Sequence, residues 1–126
     1  MSCKSILIVI LYSILLVPRL LRLPTSRNAY STIDSIVVIC QIIYKSAIAM
    51  AAGTDVSDCI AVGDSLHHDI KGANAAGIQS ILITGGIHET ELRLHGFGQV
   101  ADPSSVQSLV TKYNAYPSYV LPAFTW

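Results

Sequence analysis

The chain predicts an α/β fold built on parallel strands. Two short apolar runs, Cys59-Ile60-Ala61-Val62 and Gln79-Ser80-Ile81-Leu82-Ile83-Thr84, are each bounded by turn residues, and helix-type stretches lie before, between and after them. That alternation calls for parallel strands joined by right-handed crossovers. The third observation is a polar, acidic run from Gly63 to Asp69, placed where the first strand ends. In an open parallel sheet, ligands gather at strand C-termini. A length of 126 residues leaves room for one modest domain.

Composition changes near residue 41. All eight glycines lie at or after Gly53, and residues 1–41 contain one acid, Asp34, against Lys4, Arg19, Arg22 and Arg27. Residues 42–126 reverse that balance, so the neutral total conceals two unlike pieces. Neither piece has the basic clustering of a nucleic-acid binder. Cys3, Cys40 and Cys59 are odd in number and widely spaced, with no Cys-x-x-Cys pair, which argues against a disulfide framework and a zinc site. Cys59 reads as a small buried hydrophobe.

Residues 1–41 form an apolar segment in which eighteen residues are Ile, Leu or Val and none is Gly. Ile6 to Val17 is too short to cross a bilayer as a helix, which takes about 20 residues. Extending it to Leu23 takes in Pro18, Arg19 and Arg22. Lys4 ahead of the apolar run resembles the start of a secretory signal, but no small-x-small cleavage site stands clear near Thr25–Ser31. A cytoplasmic location is the expectation, with a signal or anchor at residues 6–23 as the alternative. No helical or strand period is sustained in this segment. It suits T-rich codons and closes on Val37-Val38-Ile39-Cys40-Gln41, like a pyrimidine tract and splice acceptor. Residues 1–41 are therefore expected to come from an alternative start or retained intron joined to an exon at Ile42. Transcripts contiguous across codons 41 and 42, with ribosome occupancy upstream, would contradict this.

From Ile42 onward the elements follow in order. Ile43, Ala47 and Met50 recur at helical spacing, with Gly53 placed as a stop. Asp55 to Asp58 is a polar turn, and Cys59 to Val62 is too short for a helix and reads as a strand. Asp69 to Ala76 reads as a helix capped by a left-handed Gly77, its alanines suited to close approach against a sheet. Gln79 to Thr84 is the second strand, closed by Gly85-Gly86. Glu89 to His95 predicts a short helix and Gln99 to Ala101 a short edge strand. Asp102-Pro103 opens a helix through about Lys112, since proline suits the first helical turn. Tyr113 to Trp126, with Pro117, Pro122 and several aromatics, predicts an extended tail laid on the domain surface.

The chemistry lies at the end of the first strand. Gly63-Asp64-Ser65 and Asp69, followed by Asp69-Ile70-Lys71-Gly72-Ala73 and Ala76-Gly77-Ile78, then Thr84-Gly85-Gly86, resemble the haloacid dehalogenase (HAD) superfamily. Within it the similarity is to the class IIA phosphatases, whose members include sugar-phosphate, pyridoxal-phosphate and phosphoglycolate phosphatases. The resemblance covers residues 42–126, about two-thirds of the chain, and implies the C-terminal part of a Rossmann-like parallel sheet. It also implies Mg²⁺ held by the nucleophile and by the motif's carboxylates. Asp64 would then be a direct metal ligand, Asp69 a second ligand or a support behind it, and Gly63 and Ser65 parts of the supporting loop. Mg²⁺ takes oxygen ligands and neutralises charge between phosphate and an attacking carboxylate, two anions that would otherwise repel.

The departures from the family matter equally. Its nucleophile motif, Asp-x-Asp, occurs nowhere in the sequence. Its phosphate-binding lysine would fall shortly before Ile42, where Val37-Val38-Ile39 stand, and Lys45 lies on the helix beyond that position. The substrate-selecting cap, between the second and third motifs, is missing as well. No catalytic residue is assigned, and the chain is expected to be a truncated phosphatase, inactive alone. Its longer relatives would hydrolyse small phosphomonoesters. The Cys59 to Val62 strand would normally pair with the nucleophile strand. Without that strand one edge stands bare, a hazard for self-association, unless a partner or residues 1–41 fill it.

Other polar groups have plainer explanations. His67 and His68 read as exposed residues of the loop or first helical turn. Glu89 and Glu91, which with His88 suggest a second metal site, are explained by the preference for acids at a helix N-terminus. The competing functional reading is a non-catalytic isoform or interaction fragment, with a membrane tether at residues 6–23 as its variant.

Overall fold

A computed structural model describes residues 7–10, 41–50 and 55–125. The described strands are β1 (Leu7–Ile10), β2 (Cys59–Gly63), β3 (Gln79–Ile83) and β4 (Tyr119–Leu121). They form one sheet in the order β1-β2-β3-β4, and every pairing is parallel. Helix α1 covers residues 41–50, α2 is Lys71–Ala76 and α3 is Pro103–Tyr113. The expected stop at Gly53 lies outside the described residues, as do most of residues 1–41.

The outer edge of β2 is not bare: the alternative left open by the sequence holds, and residues of the N-terminal segment fill it as β1, from Leu7↔Cys59 to Ile10↔Val62. The sequence Leu-Ile-Val-Ile is dense in β-branched residues, which suit a strand, although it shows no alternation. The residues of β1 include no carboxylate.

Local signals explain where the helices begin and end. A wide turn, Leu66–Ile70, precedes α2, so the helical path begins three residues earlier than the predicted Asp69. Ser65 starts it: its hydroxyl accepts the His68 N–H at 3.2 Å and its carbonyl the Ile70 N–H at 3.1 Å. Gly77 ends α2 at φ 75°, and the N–H groups of Gly77 and Ile78 return to Asn74 and Ala73, the pairing a left-handed cap provides. Asp102 caps α3 by accepting the Ser105 N–H at 2.9 Å, with Pro103 in the first turn.

Two clusters pack these elements together. Leu82 of β3 meets Leu66, Ile70, Leu92, Leu94 and the inner face of α3, Val106, Leu109 and Val110. Tyr44 of α1 meets Cys59 and Ala61 of β2 and Ala73 of α2, where the small side chains allow the close approach the sequence predicts. Burial, with the nearby Asp58 and Asp55, pushes the Cys59 thiol up from its usual range, in keeping with a packing role.

The C-terminal region departs from prediction in three places. Residues 89–95 form turns, not a helix: Arg93 has φ 55°, and Leu92 and Leu94, two apart, both point inward. An α-helix cannot aim residues two apart at one core. Residues 99–101 form no strand, because the Gln99 side chain closes the loop by accepting the His95 N–H. The edge strand is instead inside the predicted tail, at β4. Asn74 fixes its approach, donating to the Tyr116 carbonyl and accepting the Tyr116 N–H, both at 2.8 Å. Ser118 is bound to the Ser80 backbone in both directions, and Thr84 and Gly85 donate to Leu121 and Pro122.

Candidate metal site at the end of the second strand

Asp64 follows the last residue of β2 and is partly buried. One of its oxygens, Oδ2, accepts the Ile87 N–H at 3.2 Å, which ties the tip of β2 to the loop after β3. Gly86 in that loop comes so close that a Cβ there would fall on the Asp64 side chain. Here glycine is required by contact.

Asp69 is fully buried, and its Oδ2 accepts the Ser65 N–H at 3.2 Å. Tyr44 of α1 donates to the Asp69 carbonyl at 3.3 Å. The Asp69 side chain lies against Gly63, where a Cβ would coincide with it. The four residues singled out from sequence are therefore one unit. Gly63 makes room, Asp69 holds the Ser65 backbone, Ser65 caps the turn, and Asp64 stands at the open end.

Sequence reasoning missed the group beneath this loop. His88 is fully buried; its Nε2 accepts the Leu66 N–H at 3.1 Å, while Nδ1 lies 2.8 Å from Glu91 Oε1. An imidazole that accepts at Nε2 must carry its proton on Nδ1, so the ring is neutral and donates to Glu91. Glu91 also takes the Lys112 ammonium at 2.6 Å and the Tyr113 hydroxyl at 3.1 Å. Its acidity is explained by these partners and not by a helix N-terminus. The readable signal was the spacing His88-x-x-Glu91, which the bland explanation of the glutamates absorbed. His67 and His68 are half-buried, with ring centroids 4.0 Å apart, and His67 stacks on Tyr113 at 5.5 Å. They are less exposed than predicted.

These contacts shift proton affinities in known directions. Lys112 first, then His88, pull the Glu91 carboxyl down from the usual 4.5 to about 2. Burial lowers both His67 and His68, and for His67 the neighbouring His68 adds to it. All three groups bind protons more readily in the unfolded chain, so stability falls with acid. The histidines contribute a loss as pH drops below about 6.5, and Glu91 a further loss from about 4.5 towards 2. Urea denaturation at pH 7.5, 5.5 and 3 is expected to give successively lower midpoints, and Glu91→Gln to flatten the lower step.

A family model described as HAD-hydrolase-like matches residues 41–122, from the start of α1 to just beyond β4. The chain belongs to the HAD-like hydrolase family. No curated protein and no solved structure matches it. The family match spans the Gly63–Asp69 loop, the Thr84-Gly85-Gly86 loop and the His88–Glu91 pair.

HAD-like hydrolases generally use Mg²⁺. The residues present fit one edge of such a site. Asp64 offers a hard oxygen donor that is partly open, and the buried Asp69 carboxylate holds the N–H of Ser65, the next residue. Among the described residues no three His, Cys, Asp or Glu side chains converge as a set of metal ligands. None of the described helices is long and apolar enough to cross a membrane.

Proposed function

We propose that the chain carries the metal-side half of a HAD-type phosphatase centre and does not by itself turn over phosphomonoesters. In this reading Asp64 is the direct Mg²⁺ ligand, Asp69 supports it from behind, and Gly63 and Ser65 shape the loop between them. When bound, Mg²⁺ supplies charge neutralisation between a phosphate and an attacking carboxylate. The chain's own part is to hold Asp64 in place through the Ile87 N–H and the close packing of Gly86.

The observation that carries the reading is the pairing of a half-open Asp64 with a fully buried Asp69 at one strand end. The relatives it resembles, the class IIA phosphatases, act on small phosphomonoesters, and that substrate class belongs to the complete centre. The sequence contains no Asp-x-Asp, and β1, which pairs with β2, is Leu-Ile-Val-Ile. In the family it resembles, the covalent acceptor is an Asp carboxylate, and without one in this chain a non-catalytic role is the form of the hypothesis we favour. Titration with Mg²⁺, followed by amide NMR shifts, tests the half-site. Shifts centred on Asp64 and Ser65 are expected, with affinity weakened at least tenfold in Asp64→Asn. No response at those amides in the wild-type chain would count against it.

A further inference from the structure

We infer that His88 is the positioning residue of the acidic loop: through its Nε2 it holds the Leu66 backbone, and with it the turn that sets Asp64 and Asp69. The role as a metal-loop support rests on the reading proposed above; the hold on the loop itself does not.

Leu66 opens the wide turn before α2, at a helical start where N–H groups lack intrahelical partners. Ser65 donates to Asp69, and His68 donates to the Ser65 hydroxyl. Leu66, itself fully buried, donates to an imidazole that arrives from the loop after β3. A buried backbone N–H without an acceptor is costly, so the turn in its present form depends on that ring.

The ring is in turn fixed from the other side. Glu91 accepts the Nδ1 proton and thereby selects the one neutral tautomer that leaves Nε2 free to accept. Lys112 and Tyr113 of α3 hold Glu91 in place. A chain of hydrogen bonds thus runs from α3 through Glu91 and His88 to the residue two positions after Asp64. The same loop after β3 also reaches Asp64 directly, through the Ile87 N–H. Neighbouring residues 87 and 88 therefore grip the acidic loop at two points, one at its carboxylate and one at its backbone.

The cavity of about 530 Å³ beside α3, lined by Glu91, Arg93, Ser105, Ser108, Leu109 and Lys112, does not compete as a ligand site. Its two hydroxyls already donate to Asp102 and to the Ser104 carbonyl, and Lys112 is committed to Glu91.

The test compares the wild-type chain with His88→Leu, His88→Gln and Glu91→Leu by amide hydrogen exchange and ¹⁵N NMR. In wild type the His88 ring is expected to show a protonated Nδ1 and an unprotonated Nε2. His88→Leu is expected to lose at least tenfold protection at Leu66, with shifts moving from Asp64 to Ile70, while Leu82 and Leu109 keep theirs. His88→Gln, whose side-chain oxygen can accept the same N–H, restores most of it. Should His88→Leu not fold, Glu91→Leu frees the ring on the surface side and is expected to lower Leu66 protection several-fold. Unchanged Leu66 protection in the folded variants, or equal loss in Leu and Gln variants, overturns the inference. Mg²⁺ titration of the same samples separates the two claims. A loop that loosens in His88→Leu while wild type ignores Mg²⁺ upholds the positioning role and defeats the metal-loop reading.

Discussion

Replacing Gly63 with alanine is expected to destabilise the chain by about 3 kcal/mol, a large share of the roughly 5–15 kcal/mol that holds a typical domain folded. The added methyl would fall on the Cβ and carboxylate of Asp69. Asp69 sits in the turn that leads into α2, and Gly63 lies in β2, in register with Leu82. A carboxylate can swing away, but a Cβ moves only with its backbone. Either the turn lifts off the strand or β2 shifts against β3. Gly96→Ala is the matched control, since nothing lies within 4 Å of a Cβ there. Urea denaturation of the two variants is expected to separate their midpoints clearly.

Leu82→Ala is expected to cost a similar amount, about 3 kcal/mol, by leaving a cavity at the centre of the larger cluster. Leu82 is fully buried between the acidic turn, through Leu66 and Ile70, and the apolar face of α3. Those neighbours belong to two different elements, the turn and α3, so the site cannot collapse by moving one of them. Met50, at 85% exposure, is the contrast: Met50→Ala is expected to stay within about 0.5 kcal/mol. Denaturation midpoints with equal slopes would check both.

The parts of this fold that were legible in sequence are those fixed by local chemistry. Gly77 needed a left-handed cap, Asp102-Pro103 needed a helix start, and the two apolar runs between turn residues had no other reading as compact structure. The acidic loop was legible for the same reason, because Gly63, Asp64 and Asp69 follow a strand directly. What escaped depends on contacts distant in sequence. Tyr119–Leu121 is short, exposed and flanked by Pro117 and Pro122, so nothing local marks it as a strand; Asn74 and Ser80 place it from more than thirty residues away. Residues 89–95 carry helix-forming side chains, yet Leu92 and Leu94 are both needed in the core, and the left-handed Arg93 lets them turn inward. Likewise His88 looked like one polar residue among several until the fold brought it beneath Leu66. That residues 1–41 could fill the edge of β2 was legible, but not which residues, because Ile6 to Val17 is almost wholly apolar and gives no register.

The absence of a nucleophile is tested most directly by phosphatase activity of the purified chain on a panel of small phosphomonoesters, with and without Mg²⁺, beside Asp64→Asn. A metal-side half without a nucleophile predicts no hydrolysis above the blank in either protein. Mg²⁺-dependent turnover that disappears in Asp64→Asn would contradict it, and would mean that another group of this chain attacks the phosphate.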